Sequence, residues 1–276
     1  MGTDRTDLTH VSSHFQFGEN WADFATALDA AAVARAESDL GRLIPADRLA
    51  GARLLDIGSG SGLSAVAALN LGAGELVAVD IDPASVETSR RVLGRFASGK
   101  KWRAEQASVF ELTSERFGSF DIVHSWGVLH HTGDMWRAIR AAMALVRPGG
   151  SFAIALYAKT PVCGLWQVEK RLYTAAPGWL RAALRGVFKA AYLAALLMQG
   201  RNPAAYVRDY QTKRGMSWSH DVHDWLGGYP YDSATPAEVE AFFADNGFRL
   251  VSSHTRAAPA AGLFGSPCNE FLFERA

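Results

Sequence analysis

Three glycines at alternate positions, Gly58, Gly60 and Gly62, follow Leu54-Leu55-Asp56-Ile57 directly and precede an apolar run from Leu63 to Leu71. An apolar strand that turns through glycine into a helix leaves the first helical N–H groups unpaired. Those groups suit a carboxylate or another anion. Glycine is wanted where the turn is tight and the backbone must approach a ligand without a Cβ between them. About twenty residues on, Leu76-Val77-Ala78-Val79 ends in Asp80, an acid placed to accept hydrogen bonds from ribose hydroxyls.

A second set of groups suits proton transfer. His130, His131, His220 and His223 are base candidates, with Asp221 and Asp224 able to orient a ring. His220 and Asp224 fall four apart, the spacing that brings two side chains together on a helix. His131 and His223 read as hydrogen-bonded structural histidines, which leaves His130 and His220 as the candidate catalytic residues. None of these groups has ligand spacing with a second anchor, so no metal is expected.

The elements that must position these groups alternate strand and helix. After Asp80, Pro83 opens a helix over Ala84 to Phe96, and Lys101 to Ala107 reads as the third strand. Phe120 to Ser125 is the fourth strand. Met135 to Val146 is an amphipathic helix stopped by Arg147-Pro148-Gly149-Gly150, and Ser151 to Tyr157 is the fifth strand. Such alternation implies a parallel sheet with right-handed crossovers. Thr235-Pro236 then opens a helix over Ala237 to Asn246, and Phe248 to Thr255 and Asn269 to Glu274 read as an antiparallel pair. Near the start, a helical pattern runs through Phe24, Ala25, Leu28 and Ala32, with Ser38 and Asp39 able to cap a short second helix that stops at Pro45.

Asp56 ahead of the glycines, combined with Asp80-Ile81-Asp82-Pro83 after the second strand, resembles the class I S-adenosylmethionine-dependent methyltransferases more than a nicotinamide dehydrogenase. The likeness covers residues 50–157 and resumes at the C-terminal helix and hairpin. It implies an α/β fold: a three-layer, Rossmann-like, seven-stranded methyltransferase sheet with a mostly helical lid insertion. It divides the chain into an N-terminal helical flap (1–50), a cofactor domain (51–157 and 235–276) and a helical substrate lid (158–234). It also implies S-adenosyl-L-methionine as cofactor. Gly58, Ser59 and Gly60 would line its methionine part, Asp56 would position the amino group, Asp80 would take the ribose and Ile81 would pack on the adenine. Where the family often has an acid for the adenine amino group, this chain has Ala107-Ser108-Val109, so the Ser108 hydroxyl or the backbone at Val109 would serve. Ser125, at the end of the fourth strand, completes the set. Phe17 and Trp21 belong to an aromatic leader that either plugs the first helix onto the domain or closes over the cofactor.

The segment between Ala158 and Ala234 is rich in Trp, Tyr, Arg and Leu. Within Trp179 to Met198, Leu180, Leu184, Val187, Ala191, Ala195 and Met198 share a helical face, and the last two turns are apolar all round, as in a buried helix or an interface. Arg181, Arg185 and Lys189 line the neighbouring face, as a solvated basic edge or as a site for an anionic substrate group or lipid headgroup. Arg214, Trp218, Asp224 and Tyr229, with Trp126 past the fourth strand, form the expected substrate wall, because the segment following the fifth strand hangs over the carboxyl edge of the sheet.

Methyl transfer from a sulfonium is an in-line displacement that mainly needs alignment and exclusion of water. The leading expectation is therefore a methyltransferase acting on a small-molecule acceptor. Intramolecular cyclisation or aminocarboxypropyl chemistry, releasing methylthioadenosine, is the alternative, and a non-catalytic binding protein on the same fold is a third. Composition narrows the rest. The 276 residues carry 28 basic and 28 acidic side chains, which argues against non-specific nucleic-acid binding. Two cysteines are too few for a disulfide framework. Asp4, Asp7 and His10 stand where a signal peptide would be basic, and no apolar run reaches membrane-span length. The expectation is a soluble, cytoplasmic protein, either monomer or homodimer, without nucleic-acid partners.

Overall fold

The computed structural model describes residues 18–26, 28–214 and 217–276, apart from the side chains of residues 19, 20, 211–214, 220, 259 and 260. Phe17 and the side chains of Arg214 and His220 thus lie outside the described residues.

Three helices lead in: α1 (Gly18–Thr26), α2 (Ala30–Leu43) and α3 (Ala46–Leu49). The strands and helices that follow alternate as β1 (Arg53–Ile57), α4 (Leu63–Asn70), β2 (Glu75–Asp80), α5 (Pro83–Phe96), β3 (Trp102–Gln106), α6 (Ser114–Phe117), β4 (Phe120–Trp126), α7 (Met135–Met143) and β5 (Val146–Tyr157). Four helices, α8 (Cys163–Ala175), α9 (Gly178–Met198), α10 (Pro203–Arg214) and α11 (Trp218–Gly227), precede α12 (Pro236–Asp245), β6 (Phe248–His254) and β7 (Cys268–Arg275).

The strands form one seven-stranded sheet in the order β3-β2-β1-β4-β5-β7-β6. Pairing is parallel from β3 to β5, and β7 runs antiparallel to both of its neighbours. The α/β, Rossmann-like architecture expected from the sequence is therefore present. Successive strand residues point to opposite faces, so Leu55, Val77, Val123 and Phe152 pack in one core layer. Leu54, Leu76, Ile122 and Ala153 pack in the other, under α2, α4 and α5. Burial on both faces explains the near-continuous apolar runs of these strands. Strand order reverses between β1 and β4, and the crevice beyond their carboxyl ends is where ligands of such sheets bind.

Several local expectations are corrected. The helix through Leu28 and Ala32 is interrupted: the Asp29 side chain accepts from Ala32 N (2.7 Å) and starts α2 afresh. Ser38 and Asp39 are then exposed interior positions of α2 and cap nothing. Helix α7 stops at Met143, and β5 begins at Val146 and runs through Arg147-Pro148-Gly149-Gly150. Pairing of Val146 with Phe120, and a register shift between Phe120 and Ile122, absorb those residues into the strand.

On α9 the leucine-rich stripe is not the packing face. Val187 is 68% exposed and Met198 84%, while Phe188, Tyr192 and Leu193 pack against a third core of Trp166, Tyr173, Tyr210, Trp218 and Tyr231. The neighbouring basic row is no solvated edge. Arg181 donates to the carbonyls of Ala176 and Thr174, Arg185 to Tyr173 Oη and Lys189 to Ser219 Oγ.

Phe243 of α12 closes the far end of the sheet. It is fully buried and stacked on Phe273, with ring centroids 3.8 Å apart, and Phe152 and Phe248 pack edge-on to it. Phe243→Ala is expected to cost about 3–5 kcal/mol of unfolding free energy, measured by denaturant titration. A loss below about 1 kcal/mol would contradict this packing.

Candidate functional site

The glycine turn sits at the carboxyl end of the central strand β1. Gly58 has φ 75° and Gly60 φ 53°, the left-handed region that favours glycine. A Cβ on Gly58 would lie 2.4 Å from both Val128 methyls, and one on Gly60 about 3 Å from the Trp21 indole. The backbone is thus pinched between β4's outgoing loop and α1. Asp80, at the end of β2, braces the turn. Its Oδ2 accepts from Gly60 N (3.0 Å) and its Oδ1 from Asp82 N (2.9 Å). Asp82 caps α5 at Ala84 N and also accepts from Gly18 N (2.9 Å), which fixes the start of α1 beside the turn. Ser59 is buried and hydrogen-bonded to Ser89 Oγ (3.0 Å).

A crevice of about 1030 Å³ opens over these strand ends. Single-ligand pockets run to about 1000 Å³, so a cofactor and an acceptor can be housed side by side. Its first half is walled by Trp21, Gly58, Asp80, Ile81, Ser108 and Val109. Ser108 also heads a 3₁₀ turn through a capping box with Glu111, so its hydroxyl already accepts from Phe110 N. The second half reaches under α8–α11, where Tyr157, Lys170, Asp221, Asp224 and Tyr231 face it. Trp126 also lines the crevice, its Nε1 donating to Glu270 Oε1 (2.9 Å), and Glu270 pairs with Arg42 (2.8 Å).

Other expected site residues lie elsewhere. Asp56 does not face the crevice; it is 3% exposed and accepts from His124 Nδ1 at 2.7 Å. Ser125 is fully buried, its hydroxyl spent on Ile57 O. Trp218 is buried in the third core against Tyr192 and Tyr206, and Tyr229 is likewise outside the crevice wall. His130 is sealed at 0% exposure, its ring tilted against Tyr157 (centroids 4.1 Å apart) and His131 (4.4 Å), with neither ring nitrogen hydrogen-bonded. Burial, reinforced by His131 and Lys170, holds its pKa well below the ordinary range. A neutral ring without access to the crevice cannot take a proton from a ligand there.

His131, read from the sequence as structural, is the histidine on the crevice wall. Its Nδ1 lies 2.7 Å from Pro230 O. A carbonyl only accepts, so Nδ1 carries a proton, and Nε2 is the nitrogen that holds the lone pair whenever the ring is neutral. Lys170 is a second group the sequence did not flag. It is 3% exposed, donates to Trp225 O and lies 5.3 Å from the Tyr231 ring centre. Burial pushes its pKa down to about 8. Among the described residues, no group of three or more His, Cys, Asp or Glu is arranged to hold a metal ion, and no helix is long and apolar enough to cross a membrane.

Residues 55–152, from β1 to β5, match the methyltransferase domain family. Over 113 residues the chain is 38% identical to a ubiquinone biosynthesis O-methyltransferase of Xanthomonas euvesicatoria, a match covering 41% of this chain and 46% of that protein. The chain thus spans under half the length of that curated relative. In fold, it is similar to magnesium protoporphyrin IX methyltransferase from Synechocystis PCC 6803 with bound S-adenosylhomocysteine (TM-score 0.54, 16% identity, 91% of this chain and 86% of that one). It is also similar to 1,6-didemethyltoxoflavin-N1-methyltransferase from Burkholderia thailandensis (TM-score 0.50, 19% identity, 90% and 80%). The matched residues contribute the glycine turn, Asp80 and His131, while Lys170, Asp221 and Asp224 come from the helices that follow them.

Among the matched residues, Asp80 is tuned by its position. Half-buried at the crevice floor, its carboxyl is pushed from 3.8 up to about 6 by desolvation, against the pull of the Asp82 and Gly60 N–H groups. The folded chain then keeps a proton there that the unfolded chain has released. This contribution to stability is complete below about pH 4 and is lost as pH rises through about 6. Unfolding free energies of wild type and Asp80→Asn measured at pH 4.5 and 7.5 test this. The wild-type-minus-variant difference should fall with pH, and a flat or rising difference contradicts the assignment.

Proposed function

We propose that this chain transfers a methyl group from S-adenosylmethionine to an oxygen acceptor on a flat, largely apolar small molecule. The observation that carries the reading is the continuity of the crevice, from the Gly58–Gly62 turn and Asp80 to an aromatic compartment walled by His131. The cofactor half fits the group: a cradle that a Cβ would fill, and a carboxylate at the end of β2 able to accept from ribose hydroxyls. A second compartment favours a reaction with a separate acceptor over intramolecular cyclisation, which needs none. The O-methyltransferase relative supports oxygen as the accepting atom.

When bound, S-adenosylmethionine supplies an electrophilic methyl on a good leaving group. The chain's own part is alignment, dryness and a proton acceptor. Trp21 and Trp126 flank the crevice, and Tyr157, Trp166 and Tyr231 present ring surface to a flat acceptor. The acceptor hydroxyl gives its proton to His131 Nε2, whose orientation is held by Pro230 O. The free thiols of Cys163 and Cys268 fit a reducing, cytoplasmic setting.

Mass spectrometry of the purified chain with S-adenosylmethionine and a bacterial small-molecule extract should find S-adenosylhomocysteine and a product heavier by one methylene. Methylthioadenosine as the by-product would overturn the reading. His131→Ala should lower kcat about 10²–10⁴-fold and leave S-adenosylhomocysteine affinity within about twofold. An unchanged kcat would remove His131 as the base.

A further inference from the structure

Helix α9 is built inside out. The charged residues among its 21 are Arg181, Arg185 and Lys189, and all three turn to carbonyl and hydroxyl oxygens of the protein. Every exposed position of the helix is apolar or glycine. Trp179 is 73% exposed and Leu197 62%, and Leu184, Val187 and Met198 are exposed with them. Leu184, Val187, Ala191, Ala194 and Met198 recur at three- and four-residue steps, so they share one side of the helix. A surface helix of a water-soluble fold carries its charges on the outside. Here an apolar strip about 31 Å long is turned to the outside instead, far more than isolated surface hydrophobes amount to.

Charge decides what fits against this strip. Between Glu169 and Asp209 the chain has seven basic residues and no acid. Since 28 basic side chains balance 28 acidic ones overall, this stretch is the positive part of a chain whose remainder is net negative. A hydrogen bond to a carbonyl leaves an arginine's charge in place, so the field of these side chains is felt within a Debye length of the helix. A second copy docked on the same face would bring like charge to like charge. An anionic lipid surface is attracted by the basic residues and takes up the apolar side chains as well. The ends of the helix suit that setting. Trp179 stands at one, an aromatic side chain of the kind that settles at a membrane–water boundary, and exposed Arg201 follows the other, with a stem long enough to keep its charge in the headgroup layer.

The strip also ends at the crevice. Tyr192, Ala195, Leu196 and Gln199 line it, while Leu197 and Met198 between them project outside.

We propose that the outer side of α9 docks on the surface of a bilayer containing anionic phospholipid. Its apolar side chains sink to the boundary between headgroups and acyl chains, and the crevice opens beside the lipid. The helix lies along the surface and does not cross it, as no helix among the described residues is long and apolar enough to do so. The docking holds whatever the crevice binds, so it stands or falls apart from the proposed function.

Sedimentation of the full chain with sucrose-loaded vesicles tests it, using pure phosphatidylcholine or an equal mixture with phosphatidylglycerol. The wild type should bind the mixed vesicles at least about tenfold more tightly than the neutral ones, and less tightly as salt is raised. Val187→Asp, which sets a carboxylate in the middle of the strip, should weaken that binding at least about tenfold and leave the Tm unchanged. Binding to neither vesicle, equal binding to both, or binding that Val187→Asp leaves intact would each overturn the docking. Light scattering covers the other occupant. A wild-type dimer that Val187→Asp splits into monomers, without vesicle binding, would give the strip to a second copy instead. Should Val187→Asp fail to fold, Met198→Asp at the exposed end of the helix decides by the same criteria.

Discussion

One carboxylate ties the local structure together. Asp80 accepts from Gly60 N on one side and Asp82 N on the other, so the turn after β1 and the start of α5 are held at a fixed separation. Those two segments belong to different βα units, and Ser89 of α5, bonded to Ser59 Oγ and Gly60 O, joins them further along the helix. The bracing has a cost, since the carboxylate is kept in a poorly solvated place and its pKa is raised. A group held that way gains from any ligand that brings hydroxyl donors to it.

From that brace the remaining geometry follows in steps. Asp82, set by Asp80, caps α5 and receives Gly18 N, which holds α1 near the turn and brings Trp21 against Gly60. The cradle therefore depends on left-handed glycines and cannot accept a side chain at Gly58 without displacing Val128. On the other side, β5 leads into α8, and the helices after it build an aromatic core of their own. That core orients inward the groups that line the second compartment, while Leu184, Val187 and Met198 of α9 stay outside. The two ends of the crevice thus sit on different parts of the chain.

What could be read from the sequence was what is local. A strand, a glycine turn, a helix start and an acid at the end of the next strand are specified within some thirty residues, and the parallel sense of the sheet follows from the alternation of strands and helices. What could not be read depended on residues far apart. His130 and His131 are neighbours in a 3₁₀ turn that sends their rings in different directions, and which one faces the crevice is set by Pro230, 99 residues on. Asp56 looked like a ligand contact because the pairing of β1 with β4, which puts His124 in front of it, is not written near either residue. The face of α9 was misjudged for a related reason. Leucine spacing suggested one side, but Phe188 and Tyr192 form the larger apolar surface and took the core. The strand through Arg147-Pro148-Gly149-Gly150 shows the same limit, since its pairing partner Phe120 overrides a strong local stop signal.

The central claim is that the glycine turn and Asp80 grip two ends of one adenosyl amino acid. A crystal structure of the protein grown with S-adenosylhomocysteine tests it most directly. The account predicts ribose hydroxyls within hydrogen-bond distance of Asp80 and the amino-acid end lying over Gly58–Gly60. Density for the ligand in the α8–α11 compartment, or a ribose turned away from Asp80, would contradict it.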